Sequence, residues 1–393
     1  MTALAEKSEK VGRIISNAPW REATLGEVLP LKYGKARSEQ FGYDRPETVT
    51  YGSNGAFGKF PRALTNGRAI IVGRKGAAGA VHFSAEPCWP IDTAFYTEDR
   101  DDIHLPFFYY LLQSLQLGQL DRSTAIPSLS RDDYSSTVIH YPESIDDQRR
   151  IAAEIEQQFT RLDAGVAALR RTQANLKRYR AAVLKAACEG RLVPTDLRQW
   201  HKLKISEIGR AVTGNTPPTD NKENLGNELP FFKPTDLDAG YNVRDARQYL
   251  SPKGTEYARV LPAGSILVTC IGATIGKTGF ARVPCATNQQ INALVVDSKI
   301  ATPEWMFCAL TSPVGQRLIK SNASATTLPI LNKSKFEALN FPTPPLAEQT
   351  RIVAEVERRL SVVDELESVV IANLQRATRL RRSILKNVFD NLK

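Results

Sequence analysis

One long stretch occurs twice in this chain. With Gln148 laid on Gln349, the two copies are identical at Gln148/Gln349, Arg150/Arg351, Ile151/Ile352, Ala153/Ala354, Glu154/Glu355, Glu156/Glu357 and Asp163/Asp364. They agree again at Arg178/Arg379, Arg180/Arg381, Leu184/Leu385 and Lys185/Lys386. Past the first turn neither copy contains Pro, and Gly165 is the one Gly. Apolar residues recur at steps of four and three: Ile155, Phe159, Leu162, Val166, Leu169, Leu176, Val183 and Ala187 in the first copy. In the second they are Val356, Leu360, Val363, Val370, Leu374, Ala377, Ile384 and Val388. This is the seam of a heptad helix. A helix of about 40 residues is roughly 60 Å long and cannot bury such a stripe alone. Each copy needs a partner, and the nearest is the other copy.

The repeat is larger than the helix. Trp20, Leu25, Glu27 and Val28 recur with one spacing as Trp200, Ile205, Glu207 and Ile208, each set opening a segment rich in Gly, Pro, Asn and aromatics. Within these segments Ala69–Gly73 and Ser265–Thr269 read as strands running into Gly-rich turns, and Ala80–Phe83 and Ala293–Asp297 as further strands. Pro106–Leu112 and Pro303–Leu310 read as helices with Pro at the start. The loops at Thr124 and Thr326 match, and Pro142 and Pro342 stand just before the long helices. Residues 1–19 read as a short helix. The unit is a globular segment followed by a long helix, used twice. The globular parts diverge far more than the helices, as two recognition modules for different targets would.

The chain has 393 residues, 42% of them hydrophobic, and a formal net charge of +10. The apolar content suffices for real cores, and the basic balance suits a polyanionic partner. Five scattered cysteines with no CxxC pair indicate neither a disulfide framework nor a zinc site, which fits a reducing cytoplasm. The charged first residues lack the apolar core of a signal peptide, and no apolar run reaches membrane-spanning length.

The arrangement resembles the specificity (S) subunit, HsdS, of Type I restriction-modification systems, over essentially the whole chain. The most specific segments are the paired helix starts, Pro142 to Ile155 and Pro342 to Ile352, and the exit of the first helix at Gly190 to Val193. Tyr51 to Gly55, Thr213 to Pro217 and Pro230 to Asp236 also fit. The first start holds Glu143, Ser144, Ile145 and Asp146 where the second has the double proline Pro344-Pro345. The resemblance implies an α+β chain: two α/β target recognition domains separated by a pair of long antiparallel coiled-coil helices, in an internal pseudo-twofold repeat. The corresponding boundaries are 1–19 (N-terminal extension), 20–143 (first recognition domain), 144–193 (central long helix), 194–342 (second recognition domain) and 343–393 (C-terminal long helix). It further implies that each domain reads one half of a bipartite, asymmetric site in double-stranded DNA. The helices would space the domains and dock two methyltransferase (M) subunits, and a motor-nuclease (R) subunit can join. No membrane and no cofactor enter this picture.

The residues themselves offer one false lead. Gly272 to Thr278 comes close to a phosphate-binding P-loop but has three residues, not four, between Gly272 and Gly276, and Ile271 stands where Gly is required. Lys277 on that turn is either a phosphate-backbone contact or a solvated lysine. His82, His104, His140 and His201 show no metal spacing, and no nucleophile elbow, methyltransferase motif or S-adenosylmethionine loop is present. The chain is therefore expected to do no chemistry itself.

Basic residues interleave with aromatics and amides in both globular parts. Arg and Lys supply phosphate contacts, while Arg, Asn and Gln can read base edges. The candidate DNA contacts are Ser53, Asn54, Lys59, Arg62, Arg74 and Lys75 in the first part. In the second they are Lys233, Thr235, Arg244, Lys277 and Gln289, with Gln289 equally able to serve structure. The later halves of both long helices are strongly basic, which suits the helix dipole, a partner or the DNA backbone. Arg180 and Arg381 sit in the seam itself, where they either fix register or meet an acidic group on a partner. A two-domain coiled-coil scaffold without DNA binding is the competing function class.

Overall fold

The computed structural model describes residues 20–37, 48–121, 123, 125–218, 221–324 and 328–390. The helix expected over 1–19, and Thr124 and Thr326 of the matched loops, lie outside the described residues. The chain forms two compact units: Met1–Leu169 with Ile371–Lys393, and Arg170–Val370. Each unit thus holds one globular segment and parts of both long helices, Ile145–Cys188 and Leu346–Asp390.

In the first unit the run Ala69–Gly73 is buried at every position, as expected of an inner strand with both faces covered. It stands third in an antiparallel sheet of order Lys32–Tyr33, Ala94–Glu98, Ala69–Gly73, Val81–Ser84. A second sheet orders Gly55–Phe60, Thr48–Gly52 and Cys88–Pro90, and its last pair is parallel. Trp20–Thr24 pairs antiparallel with Val138–Pro142 and so returns the segment's end to its start just before the long helix. The helix Leu105–Ser114, with Pro106 in its first turn, buries Phe107, Phe108, Leu111 and Leu112. Those side chains share one core with Ile151, Ile155 and Phe159 of the first long helix and Leu385, Val388 and Phe389 of the second.

The second unit repeats this plan. Its main sheet runs Gly209–Thr213, Ile291–Val296, Ile266–Thr269, Thr278–Phe280. A second sheet again contains a parallel pair, Phe231 facing Ala286. His201–Lys204 pairs with Asn340–Thr343. The helix Pro303–Thr311 packs into a core with Val183, Leu184 and Ala187 of the first long helix and Ile352, Val353 and Val356 of the second.

The expected strands and the two Pro-started helices are therefore present. The seam is present too: Ile155, Phe159, Leu176, Val183 and Ala187 are buried, as are Val356, Val363, Val370, Ala377 and Val388. The seam arginines meet acids from the other copy. Arg381 donates to Asp163 at 2.8 Å in the first unit, and Arg180 bonds Asp364, and Glu367 at 3.1 Å, in the second. Arg180 contacts Asp364 and Glu367, while Pro194, past the end of the first helix, accepts from Arg351, earlier in the second, so the segments run antiparallel. The first helix stops at Gly190, whose φ of +64 favours Gly, with Arg191 N–H donating to the Ala186 carbonyl at 2.8 Å.

The two helix starts share one device. Gln148 and Gln349 are 0% exposed. Gln148 Oε1 accepts the N–H of His104 and Gln349 Oε1 that of Thr302, each at 2.7 Å. His104 and Thr302 are the N-cap residues of the equivalent helices Leu105–Ser114 and Pro303–Thr311. Gln148 Nε2 donates to the Pro142 carbonyl, and Gln349 Nε2 to those of Pro344 and Ile300. The double proline thus shifts the accepting carbonyl by one place in the repeat but keeps the clamp.

Candidate nucleic-acid interface

In the first unit Ser53 and Asn54 form the two-residue turn between Thr48–Gly52 and Gly55–Phe60, with Gly55 at φ +105 closing it. The strand Ala69–Gly73 leads to a second turn, which carries Arg74 and Lys75 and passes through Gly76 at φ +83. The turns adjoin: a Cβ on Gly76 would lie 3.7 Å from Ser53 Oγ, and His82 Nε2 lies 3.2 Å from the Ser53 carbonyl oxygen. Ser53, Asn54 and Lys75 are thereby brought to one edge, with Asn54 and Lys75 exposed. Arg74 is anchored there. It donates to the Asp92 carbonyl at 3.1 Å and lies over the rings of Tyr33 (5.1 Å) and Phe95 (5.8 Å). Lys59 and Arg62 are exposed, but Lys59 pairs with Val49 toward the open end of the hairpin and Arg62 follows that end, both away from the Ser53 turn.

This unit also holds contacts that the sequence did not suggest. Tyr33 is 48% exposed, and Arg131 as well as Arg74 lies over it. Phe57, 56% exposed, is capped by Arg37 at 4.7 Å. Exposed aromatic faces carrying guanidinium groups are suited to phosphate and base contact. The residues are distant in the chain, so no local motif announces them. The only signal is the interleaving of basic and aromatic residues.

In the second unit the parallel pair brings Lys233 and Gln289 together, since Phe232 faces Thr287 and Asn288 N–H donates to the Phe232 carbonyl. Lys233 and Thr235 are exposed. The Lys233 N–H is held by Asp236 Oδ2 at 2.7 Å, and its ammonium lies 5.9 Å from the Phe231 ring. Gln289 is exposed, but its Oε1 accepts the Thr216 hydroxyl, tying the Thr213 to Pro217 loop to this edge. Arg259, which the sequence did not single out, donates to the Thr213 carbonyl at 2.8 Å. Arg244 Nε bonds Asn242 at 2.9 Å.

Lys277 has a partner of its own. Its ammonium pairs with Asp238 at 2.6 Å, and its side chain is only 23% exposed. The Gly272 to Gly276 stretch is a β-hairpin turn between antiparallel strands, with Val268 facing Thr278. A P-loop needs a helix after the turn so that N–H groups converge on phosphate; here a strand follows.

All five cysteines are buried, and burial raises their thiols, those of Cys270 and Cys285 to about 12. Among the described residues no cluster of His, Cys, Asp and Glu could hold a metal, and no helix is long and apolar enough to cross a membrane.

The sequence model of the family described as "Type I restriction modification DNA specificity domain" matches residues 17–168 and 198–375. The chain belongs to this family. Both matched stretches of the specificity domain open at a globular segment and run on into a long helix, which is the repeat seen in the sequence. Among similar proteins, the HindI specificity subunit of Haemophilus influenzae is 32% identical over 171 residues, 42% of this chain and 37% of that protein. The chain thus spans little more than a third of that relative. The EcoBI specificity subunit of Escherichia coli is 24% identical over 345 residues, 81% of this chain and 72% of that protein. A structure described as bearing on complex assembly and conformational transition of the type I R-M system matches with a TM-score of 0.71 at 20% identity, covering 95% of this chain and 98% of that one. At that identity the likeness shows the fold: two mixed α/β segments with long helices.

Proposed function

We propose that this chain is the DNA-recognition subunit of a Type I restriction-modification complex. The observation that carries this reading is the duplicated specificity domain on one scaffold with two different polar edges. Ser53, Asn54, Arg74 and Lys75 mark the first edge, and Lys233, Thr235 and Gln289 the second. Residues 20–143 and 194–342 are the recognition domains, each reading one half of a bipartite asymmetric site. Residues 144–193 and 343–393 space them and dock two M subunits, to which an R subunit is added for cleavage. Within this reading Lys59, Arg62, Arg244 and Lys277 are phosphate contacts that position the domains, Lys277 once it leaves Asp238. Methyl transfer and ATP-driven chemistry belong to the partners. The Gly272 turn, the closest approach to a nucleotide-binding motif, lacks the helix such a motif uses.

The test has two arms. A gel shift of the chain with its M subunits should show DNA binding that weakens steeply with salt, since phosphate contacts release counterions. A scaffold without DNA function would leave DNA free at every salt concentration. Exchanging residues 20–143 for those of a relative of different specificity should change one half of the methylated site in a genome-wide methylation map. A change in both halves would refute independent readout.

A further inference from the structure

We propose that the second unit carries a binding site for a small planar aromatic ligand, in the cavity that its helix Pro303–Thr311 and the turn at Tyr241 form with the long-helix segments. The cavity measures about 480 Å³, within the range of small-molecule sites. Its walls are mainly apolar, from Leu184, Phe307, Cys308, Val356 and Leu360.

The repeat identifies the occupant. Because the caps His104 and Thr302 bond equivalent glutamines, Cys308 stands where the first unit has Tyr110. Leu360 stands where it has Phe159. In the first unit those two rings meet edge to face at 5.6 Å, and both are buried. The second unit replaces both with smaller side chains. The Tyr241 ring, 5.1 Å from Phe307, takes up part of the space so opened, and the cavity is what remains beside the repeated Arg180, Leu184, Glu357 and Asp364.

The polar groups agree with this. The Tyr110 hydroxyl is pushed up to about 12 by burial and then by the charge of Glu156, the acid whose repeat is Glu357. Glu357 accepts the Tyr241 hydroxyl at 2.6 Å and as a carboxylate can accept a further donor. A flat ligand with one N–H or O–H would satisfy walls and acid together. It would join the Tyr241 turn and helix Pro303–Thr311 to the long helices and so stiffen the second unit.

The probes are indole and 2-naphthol, followed by saturation-transfer NMR and calorimetry on the full chain. Saturable binding at one site per chain is expected. Cys308→Tyr with Leu360→Phe, which restores the first unit's pair, should weaken it by about tenfold or more. Leu360→Phe alone serves if the pair does not fold. Tyr110→Cys with Phe159→Leu should open a second site. No saturable binding to the natural chain, or full binding to the filled variants, overturns the proposal. Loss of the probe on adding the M subunit would assign the cavity to a partner's aromatic side chain and also overturn it. None of these readouts depends on DNA recognition.

Discussion

At Gln148 and Gln349 one side chain performs the same task twice. It is fully buried, accepts the N–H of a helix cap and donates to the carbonyl just ahead of its own helix. Gln349→Ala leaves the Thr302 N–H and the Pro344 and Ile300 carbonyls without that partner. Stranding buried groups costs about 1–3 kcal/mol each. The expected outcome is a denaturation midpoint lowered by several degrees, and an unchanged midpoint would mean that the clamp adds nothing. The ion pairs of the seam are weaker. Arg180 is half-buried, but Asp364 is 65% exposed, so a double-mutant cycle of Arg180→Ala and Asp364→Ala should give a coupling of about 0.5–1 kcal/mol that shrinks with added salt. A coupling of zero at low salt would make Arg180 a mere filler of the seam. The sequence reading placed these arginines in the seam but left their acids open. The clue was available, because Asp163 and Asp364 are themselves repeated residues, and antiparallel pairing of the copies sets each opposite the other copy's arginine.

Among elements, those with a strong period were legible and those without were not. The long helices, the buried strands Ala69–Gly73 and Ile266–Thr269 and the two Pro-started helices announce themselves by heptads, apolar runs and caps. Strands of two residues, such as Lys32–Tyr33 and Ala286–Thr287, have no period, and tertiary pairing alone creates them. The candidate site followed the same rule. The Ser53 turn and Lys233 could be read from local chemistry, whereas the stack of Arg74 and Arg131 on Tyr33 joins residues far apart in the chain. On the second long helix Val362, Leu366 and Val369 lie four and three residues apart, off the seam and about half exposed. The first helix has Arg161, Gly165 and Ala168 at the equivalent places. An apolar stripe on one copy only fits a helical partner engaged there. On the proposed function that partner is the M subunit. Val362→Glu with Leu366→Glu should abolish co-purification of M while the chain keeps its circular dichroism and melting temperature. Undiminished complex formation would place the dock elsewhere.

For the whole molecule, the two units are not successive lengths of chain. The first is completed by residues that come after the second in sequence: Leu385, Val388 and Phe389 are buried in its core, and Phe389 meets Phe107 edge to face at 5.6 Å. Among the described residues, the hydrophobic core around Trp305 in the second unit includes none beyond Leu360. Ending the chain after Val370 should therefore damage the two units unequally. Loss of large core side chains costs about 2–5 kcal/mol each, and three such losses rival the roughly 5–15 kcal/mol that holds a typical domain together. Hydrogen exchange of the truncated chain should show amides of helix Leu105–Ser114 losing most of their protection, while those of Pro303–Thr311 keep theirs. Adding the missing helix back as a peptide should restore the first set, because the removed side chains, and not the altered length, caused the loss. Equal loss in both helices would mean that the units fold as one cooperative body and that the unequal distribution of core residues has no energetic consequence.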